Sequence, residues 1–206
     1  MKRALIVVDI QNDFLPGGAL AVPDGDAVIP LANALMPRFD LVAATQDWHP
    51  ASHGSFAANH AGKTVFEQAT LAGLPQTLWP VHCVQETRGA AFADALNTAA
   101  FDRIFQKGTD EQIDSYSGFF DNNRRRATGL GNYLRTQSVG EVFVIGLATD
   151  YCVKATAIDA RHLGFAVTLI EDACRGVNLT ATDVADAIGE MKAAGVAVIH
   201  SSELAG

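Results

Sequence analysis

The sequence predicts an α/β domain: a doubly wound, mostly parallel six-stranded sheet with helices on both faces. Three observations carry that expectation. Six short apolar runs lack the polar–apolar alternation of a half-exposed strand, as strands buried on both faces do. Helical patterns separate the runs, and strand–helix alternation builds a parallel sheet. The 206 residues are 49% apolar and 18% charged, against a usual charged share of about 25%. One large core is expected, with residues 1–206 forming a single domain.

The predicted strands are Ala4–Ile10, Leu41–Thr45, Arg103–Lys107, Glu141–Leu147, Ala166–Ile170 and Val196–His200. Ala27–Phe39, after Asp24 and Asp26, reads as the first helix, and alanine-rich Ala90–Ala99 as the second. Arg124–Gln137 opens on three arginines and reads as a helix with one solvated face. Val153–Leu163 follows Cys152, and Thr180–Ala194 runs from a capping threonine to Gly195. All seven prolines lie in the first 80 residues, so long loops are expected there and compact alternation afterwards.

Charge and motif content narrow the function. Fifteen basic against 23 acidic side chains give −8, a poor balance for nucleic acid or an anionic membrane. Asp9 ends the N-terminal apolar run too early for a secretory leader, and no run approaches a membrane span. Three cysteines, Cys83, Cys152 and Cys174, do not form a secreted disulfide framework, so a cytoplasmic protein is expected. Gly129-Leu130-Gly131 lacks the third glycine of a dinucleotide fingerprint. There is no phosphate-binding G-x-x-x-x-G-K-[ST], no G-x-S-x-G and no H-E-x-x-H.

In a doubly wound sheet the ligand sits beyond the carboxyl ends of the strands. Asp9, Asp47-Trp48-His49, Lys107 and Ala148-Thr149-Asp150-Tyr151-Cys152 stand there. Cys152 precedes a predicted helix, whose N-terminus lowers a thiol pKa; a free cysteine is otherwise most often a buried packing residue, the reading given to Cys83 and Cys174. Joined by Asp9 and Lys107, Cys152 fits nucleophilic catalysis: the ammonium holds the thiolate, and the carboxylate takes the thiol proton and passes it to a leaving amine. The D-x-H spacing of Asp47 and His49 puts both side chains on one side of an extended segment, and His82 supplies a third ligand type. Two imidazoles and a carboxylate suit Zn²⁺ or Fe²⁺; a satisfied polar loop is the alternative, and His53 and His60 are further candidates. His162 and His200 have no such company. Phe14, Trp48, Trp79, Tyr116, Phe119 and Tyr151 would line a site for a flat neutral substrate.

Taken together, Asp9-Ile10-Gln11-Asn12-Asp13-Phe14, Gly17–Val22, Thr45-Gln46-Asp47-Trp48-His49-Pro50, Trp79-Pro80-Val81-His82-Cys83-Val84, Lys107-Gly108, Asp114-Ser115-Tyr116-Ser117 and Gly146–Val153 resemble the nicotinamidases, the amidase branch of the isochorismatase-like cysteine hydrolases. The likeness runs from about residue 4 to residue 200. It implies the Rossmann-like fold of that superfamily and hydrolysis of nicotinamide to nicotinate and ammonia, a step of NAD salvage, with pyrazinamide as a side substrate. It implies Cys152 as nucleophile, Asp9 as its base and Lys107 as the third member. Ala148 and Cys152 would form the oxyanion hole from their backbone N–H groups, with a cis peptide before Ala148. Asp47, His49 and His82 match the metal ligands, for one divalent ion, Zn²⁺ first and Fe²⁺ or Mn²⁺ next. Phe14, Leu20, Trp79 and Tyr116 match the residues around the ring. A relative acting on a carbamoyl or ureido compound is the competing activity, and the D-x-H set with His82 argues against it. A non-catalytic scaffold on the same fold should lack a triad member, and none is missing. The expected partner is the small-molecule substrate, with no nucleic acid or membrane; a homo-oligomer is compatible with the sequence.

Overall fold

The structure, a computed structural model, describes residues 1–204; the last two of the predicted domain, 205 and 206, lie outside the described residues. Its centre is a six-stranded, all-parallel sheet in the order β5-β2-β1-β6-β7-β8. The strands are β1 Lys2–Val8, β2 Leu41–Asp47, β5 Arg103–Lys107, β6 Val139–Leu147, β7 Ala166–Arg175 and β8 Ala197–Ile199. The chain winds from β1 out to β2 and β5, then returns to the other side of β1 at β6. That reversal is the switch point at which α/β sheets open a crevice.

Strand periodicity explains the two cores. In β1, Leu5 and Val7 point to one face and Ala4, Ile6 and Val8 to the other, all fully buried. Helix α1, Val28–Leu35, and the long loops cover the first face; α2 Leu130–Thr136, α3 Lys154–His162 and α4 Asp183–Ala193 cover the second. Gly146 of β6 sits against the Val8 carbonyl with φ +118°, and a side chain there would collide with β1. No helix among the described residues is long and apolar enough to cross a membrane.

Some predicted elements differ. Ala90–Ala99 is not a helix, because neighbouring segments take its backbone groups. Asn12 N–H bonds the Ala91 carbonyl, Ala93 N–H bonds the Ile10 carbonyl, and Asn97 N–H bonds Asn33 Oδ1. The predicted Arg124–Gln137 helix begins only at Leu130. Before it, the Asp121 carboxylate takes the N–H groups of Asn123, Arg125 and Arg126, and Gly129 is left-handed at φ +95°. The excursion after β2 is loop-rich as expected up to residue 80, and it also holds a small antiparallel hairpin, β3 Gln68–Leu71 and β4 Leu74–Thr77; beyond residue 80 the expected compact alternation gives way to two further loops, 78–102 and 108–129, whose backbone groups bond neighbouring segments. Helix α4 starts at Asp183, whose carboxylate accepts the Thr180 N–H at 2.8 Å.

Candidate active site

The carboxyl ends of β1, β2, β5 and β6 meet at one buried cluster. Asp9 follows β1, Asp47 closes β2 and Lys107 closes β5. Cys152 lies in a wide π-type turn, Thr149–Val153, between β6 and α3. Lys107 Nζ is fully enclosed and stands 2.9 Å from Asp9 Oδ2. Its three hydrogens go to Asp47 Oδ1, to the Ser115 carbonyl at 2.9 Å and to Cys152 Sγ at 3.4 Å. Asp9 Oδ1 accepts from Thr45 Oγ1 at 2.7 Å. Asp9 Oδ2 is buried with no hydrogen-bond donor, and so remains an open acceptor beside the ammonium.

The electrostatics separate these groups. Burial pushes Asp9 up to about 6, with the pull of Lys107 only partly offsetting it. Burial acts the same way on Asp47, but Lys107, His49 and His82 overcome it and hold that carboxyl well below the usual range. Burial disfavours the Lys107 ammonium, yet Asp47 and Asp9 keep it firmly protonated. For Cys152 the helix-terminus expectation does not hold: burial, with Asp9 and Asp47 adding to it, outweighs Lys107 and pushes the thiol well above its ordinary value. Burial thus favours the neutral thiol at Cys152.

The second cluster shares Asp47. Its Oδ2 faces His49 Nε2 at 3.6 Å and His82 Nε2 at 3.9 Å. His49 Nδ1 donates to the Gly108 carbonyl at 2.9 Å and His82 Nδ1 to the Pro80 carbonyl at 2.8 Å. With Nδ1 spent on a carbonyl in each ring, Nε2 is the atom turned toward the carboxylate, and in the neutral ring its lone pair has the orientation a metal ligand needs. One atom from each of the three lies within 4.8 Å of the others, and all three residues are buried. Two imidazoles and a carboxylate with room for further ligands fit a zinc-type divalent ion. His53 lies near, its ring centroid 4.3 Å from that of His49, and it also groups with His49 and Asp114. Its Nδ1, however, accepts the Ser55 N–H at 3.2 Å, so the neutral ring carries its proton on the buried Nε2. His60 Nε2 is engaged by the Gly54 carbonyl at 2.7 Å and stands outside the cluster.

Above the metal-type cluster and Cys152 opens a narrow cleft. Phe14, Leu20, Trp79 and Tyr116 line it together with Ala148, Asp47, His49, His82 and Cys152. The Leu147–Ala148 peptide is cis. Trp79 Nε1 donates to Tyr116 Oη at 3.2 Å, and Tyr151 packs edge-on to Trp79 with centroids 4.8 Å apart. Cys83 and Cys174 are buried free thiols outside the cleft, as read from the sequence. Sequence reasoning gave no role to Asp114 and Val177, which also line the cleft, or to Gln76, whose Nε2 donates to Asp114 Oδ2 at 3.0 Å. Nor did it give one to Asp13, which accepts the Cys83 N–H at 2.7 Å beside His82. Asp13 stood inside a recognised motif; Gln76 lies on a hairpin with no sequence signal.

The isochorismatase domain family matches residues 3–203. The nicotinamidase of Escherichia coli (strain K12) is 52% identical over 197 residues, 94% of this chain and 92% of its own. A solved Acinetobacter baumanii nicotinamidase superposes with a TM-score of 0.96 at 46% identity, covering 99% of this chain and 98% of its own. A Pyrococcus horikoshii pyrazinamidase, solved in complex with zinc, superposes with a TM-score of 0.79 at 40% identity, over 97% and 99%. By sequence and by fold the chain belongs to the isochorismatase family and, within it, to the nicotinamidase branch.

Proposed function

We propose that this chain hydrolyses nicotinamide to nicotinate and ammonia through a cysteine thioester, and accepts pyrazinamide as well. The observation that carries the reading is the cleft itself: a thiol lines an aromatic slot beside a carboxylate and two imidazoles, and an open carboxylate oxygen and a buried ammonium stand behind that thiol. The aromatic and apolar lining, with a few polar groups on one side, suits one small flat ring.

In this reading Asp9 Oδ2 takes the Cys152 proton as Sγ attacks the amide carbon. Lys107 stabilises the developing thiolate through the 3.4 Å contact. The oxyanion is received by the backbone N–H groups of Ala148 and Cys152, each donor contributing roughly 2.7–4 kcal/mol to the barrier reduction. The intermediate collapses, Asp9 returns the proton to nitrogen, and ammonia leaves. Asp9 then deprotonates a water that attacks the thioester; the C–S bond breaks, and the sulfur regains its proton from Asp9. Asp47, His49 and His82 would hold one divalent ion, Zn²⁺ first, and Fe²⁺ or Mn²⁺ as alternatives. When bound, it supplies a Lewis-acid anchor for the pyridine nitrogen, which orients the ring. Phe14, Leu20, Trp79 and Tyr116 would sandwich that ring and exclude water.

A reducing, cytoplasmic setting suits an enzyme with three unpaired cysteines. A substrate panel with ammonia detection tests the reading. Ammonia from nicotinamide and pyrazinamide, and none from carbamoyl or ureido compounds, is expected. The reverse pattern would replace it with the ureido activity.

A further inference from the structure

We infer that Gln11 is a positioning residue that sets Asp47 for both halves of the site, by standing in for a missing stretch of strand. The inference rests on the reading of Asp47 as a metal ligand. Strands β1 and β2 pair in parallel only as far as Val8 and Thr45. The Asp9 N–H reaches the Thr45 carbonyl at 3.3 Å, and then the chain turns away at Asp9, φ +48°. β2 continues for two more residues, and on its other side Asp47 still pairs with Lys107 of β5. On the β1 side the buried N–H and C=O of Asp47 would be left without a strand partner. Unpaired backbone groups in such a place cost about as much as lost hydrogen bonds.

The carboxamide of Gln11 takes both positions. Its Oε1 accepts the Asp47 N–H at 2.8 Å, and its Nε2 donates to the Asp47 carbonyl at 2.8 Å. The second Nε2 hydrogen goes to the Ala90 carbonyl, also at 2.8 Å. The side chain is fully buried, does not line the cleft and has its polar atoms used. A side-chain amide has the donor and acceptor of a peptide unit, so it continues the ladder where β1 cannot. Gln11 thereby holds the Asp47 backbone on the β1 side, while the next residue holds the strand on the other, the Trp48 N–H donating to the Lys107 carbonyl at 3.0 Å. Its carboxylate then reaches Lys107 with one oxygen and the two imidazoles with the other. Loss of the grip should loosen the metal set, since outer residues that orient a ligand typically change metal affinity about 10–100-fold.

Gln46 provides a built-in control. It is also buried, and its Nε2 donates to the same Ala90 carbonyl at 3.0 Å, without bonding the Asp47 backbone. The experiment is a Zn²⁺ and Co²⁺ titration of metal-stripped full-length protein, alongside thermal unfolding, for wild type, Gln11→Met and Gln46→Met. A purely structural role would lower the unfolding midpoint in both variants and leave affinity alike. The expected result is a loss of metal affinity of about tenfold or more in Gln11→Met, against about twofold or less in Gln46→Met. Should Gln11→Met not fold, Gln11→Asn, too short to span both Asp47 groups, is expected to show the same loss. A folded Gln11 variant with affinity within about twofold of wild type, or equal losses in both variants, overturns the inference alone. A wild-type protein that takes up neither ion overturns the metal reading and the inference with it.

Discussion

The ends of β1 and β2 each present a buried aspartate to the same lysine, and the two carboxylates are driven in opposite directions. Asp9 keeps one oxygen free of donors, has Lys107 as its one cationic neighbour, and is raised to about 6. Asp47 faces Lys107 and two imidazoles, and is held well below the usual range. Residue type and depth are alike, so neighbours decide the chemistry. A carboxyl that exchanges a proton near neutrality suits a base, and one that stays ionised suits a metal ligand.

The largest expected effect removes the nucleophile. Cys152→Ala should lower turnover by about 10⁴-fold or more while nicotinamide still binds; ammonia release and equilibrium dialysis check the two parts. Asp9→Asn should then cost about 10²–10⁴-fold in kcat with metal content unchanged. His49→Ala and Asp47→Asn should do the converse in metal analysis, losing the ion and chiefly weakening nicotinamide binding. If Asp9→Asn also empties the metal site, the division of labour between the two strand ends is wrong. A milder probe is pH. Asp9 acts as a base only when ionised, and its raised pKa lies near 6. The kcat/KM for nicotinamide should therefore fall about tenfold per unit as pH drops below that point; a profile flat down to pH about 4 would assign the base elsewhere. The smallest expected effect concerns His53. Its Nδ1 is taken by the Ser55 N–H and its Nε2 carries the proton in the neutral ring, so His53→Gln should leave one ion per chain bound, as metal analysis would show.

Residues borne on strand ends were legible because a parallel strand is a recognisable apolar run, and its last residue faces the crevice. Asp9, Asp47 and Lys107 follow from that rule and lie within one ion-pair cluster. Cys152 was legible by position but not by ionisation, since the burial that raises its pKa is a property of the packed site. The Ala90–Ala99 segment failed because helix propensity is weak against tertiary hydrogen bonds. The Ala90 carbonyl accepts from both Gln11 and Gln46. Gln11 itself shows why supporting residues escape notice. Its role exists only where β1 ends two residues before β2, a register that no single sequence displays.

The most direct test of the whole arrangement is ammonia release from nicotinamide by the purified protein, measured as isolated, after chelation and after return of Zn²⁺, Fe²⁺ or Mn²⁺. Turnover that is lost on chelation and restored by the ion is expected if Cys152, Asp9 and Lys107 act on a ring anchored by the Asp47–His49–His82 set. Turnover undiminished in chelated, metal-free protein would contradict the metal's part. No ammonia from nicotinamide with metal restored would contradict the activity itself.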